Sequence, residues 1–220
     1  MGIAELARLR QGCYHLFGAT LLYPDEERLA NLVAVAGELQ NESEPLAAFP
    51  FFGQWQRLLA SLYGLAEDET AKVEEEYVRL FLVNPEAPPY ESFYIEPQGW
   101  VTGWILAQLE REYDRVGLAL SPSSGEPPDH VAVELEFMAF LCDREARAWE
   151  EDLEKDIQCL KRQRDFLDRH LGRWFPLFAR WVKQTAPEGI YGVVVEAAEA
   201  FIKHDFDLLN LLMEEWKEEK

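Results

Sequence analysis

Glu126, Asp129, His130 and Glu134 stand close together in the stretch Glu126-Pro127-Pro128-Asp129-His130 and the apolar run that follows it. Carboxylates and an imidazole at this spacing admit three kinds of chemistry. Asp129, His130 and Glu134 could offer two or three ligands to a metal ion from one helix turn. A His-x-x-x-Glu pair is common by chance, however, and neither His-Glu-x-x-His nor a cysteine pair accompanies it. The carboxylates could instead accept fork-shaped hydrogen bonds from an arginine guanidinium. The third reading is local: an imidazole at a helix start, bonded to Glu126 or Glu134, caps the helix and fixes the connector before it. His204-Asp205 matches the central dyad of metal-dependent phosphohydrolases, but those need further His and Asp ligands, and His15, His130 and His170 lack supporting spacing. No Gly-x-x-x-x-Gly-Lys-Ser/Thr, Gly-x-Gly-x-x-Gly or Gly-x-Ser-x-Gly occurs, which leaves the usual nucleotide cradles and the serine nucleophile elbow without support.

The elements that must position this cluster follow from proline and periodicity. Pro127 and Pro128 disfavour helix for the residues before them, so a helix is expected to start at about Asp129 and run to about Ala148. Val131, Leu135, Met138 and Leu141 or Cys142 form its apolar stripe, with His130 and Glu134 together on one face. Residues 118–128, centred on Ser121-Pro122-Ser123-Ser124-Gly125, are small, polar and proline-marked and read as a hinge. The chain divides there into an N-terminal helical segment, residues 1–117, and a C-terminal helical segment, residues 129–220, forming one compact domain unless the second segment is exchanged between protomers.

Helical spacing continues on both sides. Ile3 to Leu22, Glu26 to Leu39 and Asp68 or Glu69 to Val83 read as helices, the last with Val73, Tyr77, Leu80 and Phe81 on one side. Phe49, Phe51, Phe52 and Trp55 crowd ahead of Leu58, Leu59 and Leu62, as core aromatics do. Pro85, Pro88, Pro89 and Pro97 forbid regular structure to about Gln98, and helix resumes from Gly99 or Thr102 to Val116. Glu150 to Leu171 is a looser repeat, with Trp149 at the break before it and Gly172 ending it. Arg173-Trp174-Phe175-Pro176 opens another helix, and Tyr191 to Trp216 supplies one or two more. The expected fold is an all-α bundle of roughly nine to eleven helices.

Composition narrows the partners. With 220 residues, 48% hydrophobic, the chain can bury a sizeable core, and its formal net charge of -20 repels phosphate backbones and anionic lipid headgroups. Nucleic-acid binding is therefore not expected, whereas a cationic segment would be attracted. No stretch is long and apolar enough to span a membrane, no signal peptide is visible in Met1 to Leu22, and Cys13, Cys142 and Cys159 suggest neither a disulfide framework nor a structural zinc.

Glu126-Pro-x-Asp-His followed by a Glu-Leu-x-Phe-Met helix resembles the signature of the TorD/DmsD/NarJ family of molybdoenzyme maturation chaperones, the redox enzyme maturation proteins. Tyr77-Val78-Arg79-Leu80-Phe81 is similar to the family's aromatic-x-x-Leu-Phe segment, and Pro88-Pro89-Tyr90-Glu91-Ser92 to its proline-rich loop. The resemblance extends over most of the chain. It implies a TorD/DmsD-like bundle in the cytoplasm, without catalytic residues, metal or resident cofactor. It further implies binding of the twin-arginine leader and immature catalytic subunit of a molybdopterin oxidoreductase, assisting cofactor insertion and delaying export. The residues that would carry such binding are Tyr77, Leu80, Phe81, Tyr90, Glu126, Pro127, Asp129, His130 and Glu134, beside an apolar groove for the hydrophobic segment of the leader. Weak contact with guanine nucleotide or with the molybdenum cofactor, and a monomer or domain-swapped dimer, rest on the resemblance alone. The competing readings are a metal-dependent hydrolase using His130 or His204 and a generic helical interaction module.

Overall fold

The computed structural model describes residues 1–42, 44–66, 69–96, 103–119, 125–151 and 157–218. Ten α-helices lie among them: α1 (Ile3–Thr20), α2 (Glu26–Glu42), α3 (Phe52–Tyr63), α4 (Thr70–Tyr77), α5 (Glu91–Ile95), α6 (Trp104–Asp114), α7 (Val131–Glu150), α8 (Ile157–Arg169), α9 (Leu171–Thr185) and α10 (Ile190–Glu218). The all-α bundle expected from the repeat is what forms. The hinge expected at residues 118–128 lies partly outside the described residues, since 120–124 are not among them.

α1 and α7 pack along each other, and α10 packs on α3, α8 and α9, so the segments before and after residue 128 share one core. The close approach of α1 to α7 requires Gly18: a Cβ there would lie 3.0 Å from Glu136 Oε1 and 3.5 Å from the Ala132 carbonyl. On the inner face of α1, Ala7, Arg10, Tyr14 and Phe17 recur at three and four and are buried. Arg10 is the unexpected member of this stripe. Its guanidinium donates to Asp205, to Glu145 Oε2 at 2.7 Å and to Gln163, while Tyr14 donates to Asp205 Oδ2 at 2.7 Å and Gln163 Nε2 to Glu145 Oε2 at 2.8 Å. Burial disfavours the Arg10 charge, but Asp205, with Glu145, outweighs that and keeps it protonated.

Several boundaries differ from the periodic reading. α4 passes into a π-helical turn, Val78–Leu82, closed by the Val83 N–H donating to the Val78 carbonyl at 3.0 Å. The wider turn keeps Tyr77, Leu80 and Phe81 all facing the core and throws Leu82 and Val83 outward, 56% and 61% exposed. α5 is a helical turn inside the proline-rich loop, where no proline interrupts Tyr90 to Glu96. Trp149, expected at a break between helices, sits in the last turn of α7, because α7 continues to Glu150. The α8–α9 boundary falls at His170, whose φ and ψ of -123 and -102 leave the helix, not at Gly172. Gly172 belongs to the first turn of α9, where a Cβ would meet the Leu167 carbonyl at 2.5 Å. The closing segment is one continuous α10.

The Arg10 assembly yields a direct expectation. Asp205→Ala leaves a guanidinium in the core without its main partner and should lower the free energy of unfolding by about 3–5 kcal/mol, read from a urea titration. A loss under about 1 kcal/mol would mean that Glu145 and Gln163 suffice on their own.

Candidate functional site

The two proline-marked motifs meet. Glu91 N–H donates to the Asp129 carbonyl at 3.0 Å and Val131 N–H to the Pro89 carbonyl at 2.9 Å, an isolated antiparallel bridge centred on Tyr90 and His130. Neither segment can extend a helix through its prolines, so their remaining polar groups are satisfied by pairing with each other. Asp129 Oδ2 accepts from Ser92 N at 3.2 Å and so caps α5. It does not cap α7: that helix begins at Val131, and its N-cap is His130, whose Nδ1 accepts from Ala132 N at 3.2 Å. The expected start at Asp129 is thus displaced by two residues, because the carboxylate is used across the bridge.

With Nδ1 an acceptor, the proton of neutral His130 sits on Nε2, which faces Glu126 Oε2 at 3.7 Å. Burial lowers the His130 pKa to about 4. Tyr90 stands edge-on to the imidazole, ring centroids 5.5 Å apart, and the Tyr113 hydroxyl holds the Pro128 carbonyl at 2.8 Å. One turn along α7, the side chain of Glu134 turns away from His130. Its oxygens accept the Trp174 indole N–H at 3.1 and 3.0 Å, and it is hydrogen-bonded to Glu91. Burial, then the charge of Glu91, raises the Glu134 pKa well above the usual carboxylate range. Glu91 in turn lies 2.9 Å from His170 Nδ1, at the α8–α9 break. Tyr94 stacks on Trp174 and reaches Phe178, which also touches Phe81.

All three motifs singled out in the sequence are therefore joined in one seam, but not as an open receptor. Glu134, His130 and Asp129 are 0%, 1% and 2% exposed, and Tyr77, Leu80 and Phe81 are buried core. The expected acidic pocket of Glu126, Asp129 and Glu134 does not form as one surface, because α5 and α9 close over the inward face of α7. Glu126, Pro127 and Tyr90 remain partly exposed at the edge of the seam. Glu91, Ser92, His170 and Trp174, which periodicity did not single out, complete it. Only the glutamate next to a proline-tyrosine pair hinted at this, since a buried carboxylate partner leaves no spacing rule in sequence.

Among the described residues no group of three or more His, Cys, Asp or Glu side chains is arranged to hold a metal ion. His204 and Asp205 do not act as a dyad: Asp205 turns into the Arg10 assembly, while His204 lies against Phe49 and Phe51 at 5.1 and 5.4 Å between ring centroids.

Residues 49–180, a span that holds all three motifs, match the family model described as the nitrate reductase delta subunit. Among curated proteins, the chain is 30% identical over 164 residues to the chaperone protein TorD of Vibrio cholerae, covering 73% of each chain. It is 34% identical over 130 residues to the perchlorate reductase assembly chaperone protein of Dechloromonas aromatica, 59% of this chain and 56% of that one. It is 43% identical over 82 residues to the selenate reductase assembly chaperone protein of Thauera selenatis, 37% of this chain and 42% of that one. A crystal structure described as a redox enzyme maturation protein from Archaeoglobus fulgidus superposes with a TM-score of 0.54 at 25% identity, covering 89% of this chain and 94% of that one.

The seam predicts opposite pH limbs. His130 has a folded pKa of about 4 against an ordinary 6.5, so the unfolded chain binds its proton first and stability is lost as pH falls between those values. Glu134 has a raised folded pKa, so its contribution is complete below 4.5 and is lost as pH rises. Melting curves across pH should show His130→Asn flattening the acid limb and Glu134→Gln, which keeps an acceptor for Trp174, flattening the loss at rising pH. Unchanged pH slopes in both variants would remove these groups as the cause.

Proposed function

The chain belongs to the nitrate reductase delta subunit family, and from this premise we propose that it binds the immature catalytic subunit of a molybdenum-containing reductase, together with its twin-arginine leader, until the cofactor is in place. It is a maturation chaperone and not an enzyme, as its relatives are assembly chaperones, and its partner is a reductase catalytic subunit. The observation that carries the reading is the match over residues 49–180, which contains every motif that meets in the seam. No helix among the described residues is long and apolar enough to cross a membrane, and the place of action we propose is the cytoplasm, before export.

For the leader, the reading rests on charge and on the edge of the seam. A surface of formal net charge -20 draws a segment with paired arginines. Glu126 is the carboxylate suited to the contact: burial raises its pKa, so a guanidinium arriving beside it and the Tyr90 ring gains more than it would in open water. Asp129 and His130 act here as positioning residues, since the bridge they anchor sets where Tyr90 and Glu126 stand. Either a monomer or a dimer that exchanges the segment after residue 128 would present the same edge, and no nucleotide or molybdenum-cofactor contact is required of it.

Co-expression with candidate reductase catalytic subunits from the same genome should yield a complex that copurifies with one of them, and omitting the chain should lower the cofactor content of that subunit. In a titration followed by tryptophan fluorescence, Glu126→Gln and Tyr90→Ala should each weaken the subunit's leader peptide by about 3- to 10-fold while melting temperatures stay within about 2 °C. A twin-lysine leader should bind correspondingly worse. Equal binding of both leaders would refute the arginine contact while leaving the chaperone reading in place.

A further inference from the structure

α9 and α10 lie side by side and run in opposite directions. Lys183, near the end of α9, faces Glu199 at 2.6 Å, while Gly172 and Arg173 at its start share a pocket with Lys203 and Phe206 further along α10. The outward side of this pair is divided by charge. α9 carries Arg173, Arg180 and Lys183 and no acidic residue; Arg173 and Arg180, seven apart, are exposed and form no ion pair among the described residues. On α10 the outward stripe runs on from Lys203 at helical spacing to Asp207 and Glu214, also seven apart, also exposed and also outside any ion pair among the described residues. The other charges nearby are largely engaged: Glu199 by Lys183, and Arg164 of α8, bonded to Asn210 on the stripe, by Asp165 at 3.0 Å. Asp168 lies on the α8 side of the pocket.

The same face carries a hole and a knob. The hole is the pocket itself, about 410 Å³, with Leu167, Phe175, Ile202 and Phe206 as its apolar floor and Pro176 on its α9 wall. The knob is Leu211, between Asp207 and Glu214 and 58% exposed. Arg173, Pro176 and Arg180 are spaced by three and four residues along α9, and Asp207, Leu211 and Glu214 by four and three along α10, so each strip spans about 10 Å with its uncharged member near the middle. Charge and shape thus repeat in complementary form on one surface.

We propose that this face joins two copies of the chain about a two-fold axis, with Asp207 and Glu214 of each copy on Arg173 and Arg180 of the other, and Leu211 of each in the pocket of the other. A two-fold interface must be self-complementary, and a surface with a basic half and an acidic half of equal spacing is so. A uniformly acidic partner would meet Arg173 and Arg180 but leave Asp207 and Glu214 facing like charge, whereas a second copy satisfies both halves at once. Two molecules of formal net charge -20 repel as wholes, yet charges beyond about 8 Å are screened at physiological salt, so the contact is decided by the groups that meet. No segment is exchanged, since α9 and α10 of each copy keep their own core, and the inference does not depend on the chaperone reading.

Sedimentation velocity of the full-length protein from about 1 to about 100 µM should show a concentration-dependent equilibrium of monomer and dimer, its dissociation constant rising about tenfold or more between about 50 mM and about 0.5 M salt. Arg173→Glu with Arg180→Glu, and separately Asp207→Arg with Glu214→Arg, should each leave a monomer throughout that range. An equimolar mixture of the two double variants should recover the dimer, because the reversed halves attract each other and the native halves still match; this recovery also shows that both variants are folded. Leu211→Ala should weaken the dimer by about 3- to 10-fold. A monomer at every concentration, a dimer that persists in either reversed pair, as an exchange of segments would, or a mixture that stays monomeric overturns the inference.

Discussion

The short backbone pairing between Pro89 to Glu91 and Asp129 to Val131 is the constraint on which the rest of this site depends. Proline excludes both segments from helices and deletes donors that would otherwise need partners, and the donors that remain are met across the gap. Once the pairing is made, much else is determined. Asp129 lies where it caps α5, His130 where it caps α7, and Tyr90 is brought beside the imidazole. The direction of α7 then places Glu134 against Trp174 and Glu91, which in turn locates α9.

Two buried polar assemblies hold the bundle, and they solve the same problem by different means. Around Arg10 the charges are opposite, so attraction at close range offsets the desolvation of guanidinium and carboxylates. In the seam, two carboxyl groups meet in the core with an indole N–H as a donor to one of them, and the energetic solution is to retain a proton on Glu134. Neither arrangement contributes stability efficiently compared with apolar packing. Both reject alternative registers of α1, α7 and α9, because any shift would strand a charge or a donor in the core.

Helix content was legible in the sequence wherever one apolar stripe faced one core. α1, α2, α7 and α10 follow from residues three and four apart, and Pro127-Pro128 marks the start of α7 to within two or three residues. What periodicity could not show is any feature set by a distant partner. The π turn at Val78–Leu82 follows from the need to turn Tyr77, Leu80 and Phe81 inward together. The His170 break places an imidazole on Glu91, and the sequence interval between those two carries no pattern. The cluster at Glu126 to Glu134 was found by residue type, but its openness was not. Alternation cannot report that α5 and α9 cover it, and the three readings of its chemistry differ only in what lies above the plane of the helix.

That enclosure bears on how such a chain can act. A chaperone needs no reacting group, only a difference in its affinity for two states of its client, since the ligand shifts the population by that difference and no more. The enclosed part of the seam cannot supply it, because Asp129, His130 and Glu134 are buried and already bonded within the fold. The difference must arise at surfaces that a finished, cofactor-loaded subunit no longer offers partners for. The rigid seam contributes by holding the walls of the bundle in register while the surface does the selecting.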